Sequence, residues 1–401
     1  MDIAAFCKRA DWLNRERVRG YAVILALVSL VLLAGSYLDA MGPEGTDFLA
    51  FWGGGHMAAA GDPALAYDLA TQERVQTATG SEGWFAFVNP PPFLFIAAPF
   101  GALPFPLAWA LWVGATFALW ACFAIRAFPR MWLLVLAWPG ALIAAGHAQT
   151  GLLTGALLVG AAALLDRRPV ASGMLIGALI IKPHLALLLP FWLAAGGRWK
   201  AFIAAGATAI GLLFVSWATF GTETMLAYTT SWKASAALMA GDDPDFYLRM
   251  ATPYSQMRLI MPAEAALGVS VAIALGLIAL VLVSWRRFGP DPLASGSLVL
   301  AASALASPYL FNYDLPFLIV PTLWLVREGL RQGFRDWEKA ALVMLYLAPY
   351  ATRAFALPLG VNLMPLASIG LVWLIWTRGQ SDLSASSGMN SGQPAHPARV
   401  Q

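Results

Sequence analysis

Long apolar runs, separated by short polar clusters, set the pattern of this chain. They fall at roughly 21–38, 104–126, 131–146, 148–165, 170–195, 199–219, 263–286, 292–306, 309–327, 340–352 and 355–377. An apolar run of about 20 residues is what a helix needs to cross a bilayer, so the pattern predicts an all-α polytopic membrane protein. One run does not fit a single crossing. Residues 170–195 carry Lys182-Pro183-His184 in the middle, with Arg167 and Arg168 before them and Arg198 and Lys200 after. Basic flanks on both sides place both ends on the cytoplasmic face. The run is therefore expected to be a broken hairpin whose KPH tip lies inside the bundle, where bent backbone is tolerated if it lines a cavity.

With that hairpin the chain has about twelve transmembrane helices and both termini in the cytoplasm. Of the 25 Lys and Arg, about 19 then fall on inner segments. Arg74, Lys182, Lys233, Arg249, Arg258 and Arg353 fall elsewhere. That imbalance is what the positive-inside rule demands. Residues 88–103 (VNPPPFLFIAAPFGAL) are too short and too proline-rich to span, and are expected to re-enter or lie in the interface. Two large outer loops, about 39–103 and 220–262, remain; the first carries Asp39, Glu44, Asp47, Asp62, Asp68, Glu73 and Glu82 against a single Arg74. The expected organisation is a basic cytoplasmic N-terminus (1–20), a transmembrane domain (21–379) and a disordered cytoplasmic tail (380–401).

Composition agrees. Of 401 residues 59% are hydrophobic and 12% charged, with 17 Trp and 22 Phe. A soluble domain needs about 25% charged residues. A net charge of +3 gives no reason to expect nucleic acid as a partner. Cys7 and Cys122 stand far apart and support neither a disulfide framework nor a metal site. Lys8, Arg9, Arg15, Arg17 and Arg19 precede a long first run with no small-residue cleavage site after it, which reads as a retained span.

Chemistry-bearing residues gather in the outer loops and hairpin tips. GTDFLAFWGGGHMAAAGDPALAYD, residues 45–68, begins an expected interfacial helix at Asp47, with Phe48, Phe51, Trp52 and Met57 on its apolar side. Asp47 is a candidate N-cap as well as a candidate base. Asp62 reads as a turn or cap residue, Asp68 as a cap or a partner of Arg74, and His56 as a site residue or a solvated interfacial histidine. GGG beside His56 permits close backbone approach, for packing or for a ligand. Lys182 interrupts an apolar run, a position that usually means a cavity or a partner. His147 and Gln149 in GHAQTG mark a second tip, and Tyr309, Asn312, Tyr313 and Asp314 in SPYLFNYD a third. Asp242, Asp243 and Asp245 are either solvated or a divalent-cation cluster, and Arg249, Arg258 and Arg353 are outer cations suited to phosphate. No phosphate-cradling glycine loop, HExxH or GxSxG motif is present, which argues against ATP-driven transport and nucleotide-sugar chemistry.

Several of these segments occur in an order that resembles a known family. The early outer Asp before an aromatic, GDPALAYD, NPPPFLFIAAPFGALP, GHAQTGLLTGALL, the DRRP turn, GMLIGALIIKPHLALLLP and SPYLFNYDLP together resemble glycosyltransferase family 87 of the GT-C superfamily, over about residues 20–375. The resemblance implies a GT-C-like bundle with interfacial helices in its outer loops. It implies a polyprenyl-phosphate sugar donor, with mannose favoured, a lipid or glycan acceptor, no cofactor and no metal. Asp47 would be the general base of an inverting transfer, at the outer face of a bacterial inner membrane and among membrane lipids. Lys182, His184 and Arg353 would bind the donor phosphate, while Trp52, His56, Asn89, His147, Gln149, Tyr313 and Asp314 would line the substrate cavity. Trp84 and Phe87 offer further flat faces. Some members look to carry Trp and paired His after the late Ser-Pro, where this chain has SPYLFNYD; a His role is not carried over.

Two other functions fit the same residues. A transporter or flippase of a lipid-linked saccharide would also need an aromatic, charged cavity, but should show internal repeats and mid-membrane sites. A polytopic acyl- or phosphoethanolamine transferase would call on His147 or His184 as base, with Asp47 dispensable.

Overall fold

A computed structural model describes residues 3–241, 243–288 and 291–389. The chain opens with α1 (Ile3–Arg9) and α2 (Arg15–Ala40), the latter capped by Asn14, whose side chain accepts from Arg17 N. The chain then folds into α3 (Phe48–Ala60), a 3₁₀ turn (Pro63–Tyr67) and α4 (Leu69–Thr77). A second 3₁₀ turn (Pro91–Phe93) leads into α5 (Leu94–Gly101). The helix expected after Asp47 is present, but its first two turns are buried in protein and do not rest on lipid. Gly55 and Gly101 explain why. A Cβ on either would strike backbone of the other helix, so α3 and α5 cross at near-backbone contact. The triple glycine serves packing.

Next come α6 (Phe105–Ala127), α7 (Trp132–Leu136), α8 (Pro139–Gly146), α9 (Gly151–Leu164), α10 (Pro169–Gly177) and α11 (Leu189–Ala195). Between the last two lie 3₁₀ turns at Ala178–Ile181 and Pro183–Ala186, on either side of Lys182. The segment is the broken hairpin that its charges predict: Asp166, before it, pairs with Arg198, after it, at 2.7 Å.

α12 (Trp199–Ala240) breaks at Gly221, whose φ of 79° only glycine adopts readily. α13 (Pro244–Leu248), α14 (Pro253–Arg258), α15 (Ala263–Phe288) and α16 (Pro292–Ala306) follow. A 3₁₀ turn at Asn312–Leu318, α17 (Ile319–Gln332), α18 (Glu338–Leu359) and α19 (Met364–Met389) complete the described chain. α19 thus continues ten residues into the tail expected to be disordered; residues 390–401 lie outside the described residues.

The expected dozen crossings are not confirmed. Among the described residues, five helices are long and apolar enough to cross a membrane, or six if the bent pair Pro129–Leu136 and Pro139–Gly146 is one span. Five further apolar helices have only 10–17 residues. α9, with 14 residues, rises about 21 Å, short of a hydrocarbon core about 30 Å thick. Apolar composition alone does not show where a helix stops. Here several stop at one polar cluster, inside the bundle.

The basic segments assigned to one face do meet at one end. Lys8 pairs with Asp336 at 3.3 Å, and Trp337 N donates to Lys8 O. Arg378 and Glu338 form a buried ion pair, and Arg287 donates to Trp376 O at 2.9 and 3.0 Å. Arg198, paired with Asp166, lies over Trp285.

Candidate active site

At the other end three turns converge. The α8–α9 turn is forced into shape at Ala148, a non-glycine residue with φ of 47°. Such a conformation costs of order 1–3 kcal/mol and persists where neighbours hold it. Trp112 Nε1 holds it by donating to Ala148 O at 2.8 Å. Trp112 is itself locked among Phe48, Phe51, Phe93 and Phe100. The same aromatic cluster therefore fixes the start of α3 and the Gln149 turn. Gln149 Nε2 donates to Asp47 Oδ2 at 2.9 Å, and its Oε1 accepts from Thr150 N.

Asp47 precedes α3 but makes no side-chain cap bond, so the carboxylate is not consumed by backbone. The helix N-terminus still favours its negative charge.

Lys182, at the hairpin tip, forms an ion pair with Asp314 in which the carboxylate is fully buried and the amine nearly so. Lys182 Nζ also lies 3.5 Å from Thr150 Oγ1 and 5.6 Å from the centre of the Tyr313 ring. Asp314 Oδ2 accepts from Phe311 N at 3.1 Å, closing the SPYLFNYD turn. Tyr313 is the hub: its hydroxyl is within electrostatic reach of Asp47, Asp314, Tyr309 and Arg353, and His147 stands beside its ring at 5.6 Å. His184 packs edge-on against Tyr309 at 5.7 Å, and its Nε2 is buried with no hydrogen-bond partner among the described residues. Arg353 is within electrostatic reach of Arg249. No hydrogen bond or ion pair is formed by either guanidinium among the described residues.

The segment 243–262 is tied to this cluster. Ala251 N donates to Leu310 O at 2.7 Å, and Thr252 Oγ1 to Pro308 O at 3.2 Å. Below, Asn362 Nδ2 donates to Asn312 Oδ1 at 2.8 Å and to Leu248 O at 3.1 Å.

Of the residues singled out in the sequence, Asp47, Gln149, His147, Lys182, His184, Tyr313, Asp314 and Arg353 come together. Trp52 and His56 are used elsewhere: Trp52 Nε1 donates to Leu103 O at 2.9 Å, and His56, stacked on Trp52, donates to Gly101 O at 3.1 Å. The reason is helical rise. His56 is nine residues beyond Asp47, about 13 Å along α3. Asn89 offers its carbonyl to Tyr67 Oη, again a structural bond. Asp68 caps α4 through Thr71 N, and hydrogen bonds from Thr71 hold its carboxyl below the usual range. Asp243 caps α13 through Asp245 N, while Asp242 lies outside the described residues. Arg258 donates to Gly241 O and Met261 O. Sequence reasoning missed Thr150 and Asn362, both buried. Thr150 follows Gln149 directly, and that adjacency was the available signal; Asn362 had none.

The profile of glycosyltransferase family 87 matches residues 87–308, more than half of the chain. The chain belongs to glycosyltransferase family 87. It is thus a membrane glycosyltransferase, as its segment order implies. The matched stretch contains Gln149, Thr150, Lys182, His184 and Arg249; Asp47 precedes it, and Tyr313, Asp314 and Arg353 follow it. No curated protein and no solved structure matches this family 87 chain.

Proposed function

We propose that this glycosyltransferase moves a sugar, with mannose favoured, from a polyprenyl-phosphate donor to a hydroxyl of a lipid or glycan acceptor. The reaction takes place at the outer face of a bacterial inner membrane, with both termini in the cytoplasm. The observation that carries the reading is Asp47: a carboxylate at a helix start, free of capping and oriented by Gln149, whose neighbour Thr150 meets Lys182.

Asp47 takes the proton of the acceptor hydroxyl. The oxygen forms a bond to the anomeric carbon as the bond from that carbon to the phosphate oxygen breaks, with inversion. The electron pair leaves on the lipid phosphate. Charge grows there, so preorganised cations stabilise the transition state. Lys182 is already balanced by Asp314, so it contributes as half of a neutral pair. Arg353 and Arg249 are two like charges near each other without a carboxylate partner among the described residues, and a phosphate relieves their repulsion. Arg353 and Arg249 therefore receive the phosphate, with Lys182 and His184 behind them. Tyr313 and His147 face the sugar. No cofactor or metal enters this scheme.

The test is sugar transfer in nanodiscs with a panel of radiolabelled polyprenyl-phosphate sugars, wild type beside Asp47→Asn. Loss of transfer with donor binding retained supports Asp47 as base and identifies the sugar. Full transfer by the variant removes Asp47 from that role. No transfer from any donor by wild type, given a broad acceptor extract, would favour carriage of a lipid-linked saccharide instead.

A further inference from the structure

The end of the molecule opposite the Asp47 cluster holds a cavity of about 490 Å³ between α15, α16, α17 and α19. Arg287, Arg327 and Arg331 face it, with Asp291, Glu328 and Trp324. The two carboxylates are spoken for. Glu328 accepts from Arg327 at 3.1 Å and from Arg331 at 2.8 Å. Asp291 caps α16 through Oδ1, and its other oxygen meets Arg327 at 3.5 Å. Arg287 is different. Its Nε and one terminal nitrogen donate to Trp376 O, and its guanidinium lies 4.1 Å from the centre of the Trp376 ring. It has no carboxylate partner among the described residues. The remaining guanidinium nitrogen, with two hydrogens, donates to no acceptor among the described residues.

A half-buried cation held rigidly in a polar cavity, beside balanced ion pairs and an aromatic wall, suits an anion with an apolar body. We propose that this cavity binds a phosphate group, held by Arg287 and flanked by Arg327 and Arg331. The observations favour an anionic phospholipid headgroup over free phosphate. Trp324 and Phe288 give the cavity an apolar side, and α15 is a candidate membrane span whose basic end this is. Arginines between membrane helices at the basic end recognise such headgroups through charge and hydrogen bonds together. This site is separate from the Asp47 cluster and does not depend on the sugar-transfer chemistry.

The test uses the full chain purified in detergent. Native mass spectrometry reads retention of phosphatidylglycerol relative to phosphatidylcholine, for wild type, Arg287→Gln, Arg287→Lys and Arg331→Gln. Because the readout is a ratio within each protein, a general loss of stability does not move it. Wild type should prefer phosphatidylglycerol, and Arg287→Gln should lose about five-fold of that preference. Arg287→Lys should keep most of it, and Arg331→Gln, at the rim, should lose less than Arg287→Gln. Displacement of the lipid by millimolar inorganic phosphate, with a matching rise in unfolding temperature for wild type alone, would show the same site taking free phosphate. Equal retention of the two lipids by wild type, or an undiminished preference in Arg287→Gln, overturns the proposal.

Discussion

Gln149 Nε2 donates to Asp47 Oδ2 at 2.9 Å, joining residues 102 positions apart in sequence. The bond has a mechanical cause. Trp112 pins the strained Ala148 carbonyl, and Phe48, the residue after Asp47, stacks on that same indole. Both partners are thus fixed to one aromatic core, so the carboxylate points one way.

Positioning predicts a graded loss on substitution. Asp47→Asn should lower transfer by about 10²–10⁴-fold, the usual contribution of a general base. Gln149→Ala should lower kcat by less, about ten-fold, with little change in donor KM, because it disturbs aim and leaves the base in place. Gln149→Glu, which sets a second carboxylate against Asp47, should be worse than alanine. Steady-state kinetics in nanodiscs separate these outcomes. A Gln149→Ala enzyme with wild-type kcat would show that the bond does not matter.

The Lys182–Asp314 pair is buried, and removal of one partner leaves an uncompensated charge. Lys182→Met alone and Asp314→Leu alone should each destabilise by about 3–5 kcal/mol. The double variant should recover much of that loss, since an apolar pair has no desolvation penalty. Unfolding temperatures of the four proteins in one detergent give the cycle. Additive losses would mean that the two residues are not coupled.

The polar tips were legible because they break an apolar pattern. Lys182, Gln149 and Asp314 each end an apolar run, and a polar group in such a place needs a partner. Lys182 and Asp314 proved to be each other's partner, and Gln149 proved to be Asp47's. The number of crossings was not legible: α9 and α16 are as apolar as a span, and only the structure shows that they stop at 14 and 15 residues. His56 and Trp52 have the chemistry of site residues, yet the packing of α3 against the α5 end consumes their polar groups. The approach of Arg249 to Arg353 joins segments 104 positions apart, which no local pattern encodes.

Gly151 opens α9 against the SPYLFNYD turn, where an added Cβ would collide with the Tyr313 carbonyl. Backbone cannot give way as a flexible side chain can. Gly151→Ala should therefore push Tyr313 and Asp314 out of place, lowering both transfer and unfolding temperature. Gly114→Ala and Gly206→Ala, where nothing lies within 4 Å, serve as controls and should keep wild-type transfer. If Gly151→Ala behaves as they do, the turn has more freedom than its contacts imply.

Asn362 anchors segment 243–262, which carries Arg249. Its amide donates to Leu248 O and Asn312 Oδ1, its carbonyl accepts from Met364 N, and its backbone N donates to Gln256 Oε1. Asn362→Ala leaves buried acceptors unpaired, each a loss of about 1–3 kcal/mol. Asn362→Asp keeps the shape but turns an acceptor toward two other acceptors, so it should be no better than alanine. Because the loss falls on the attachment of residues 243–262, hydrogen exchange should rise there before it rises in α9 or α16. If Arg249 receives the donor phosphate, the donor KM should rise while kcat changes less. Faster exchange with an unchanged donor KM would separate the anchor from the site and remove Arg249 from the phosphate's partners.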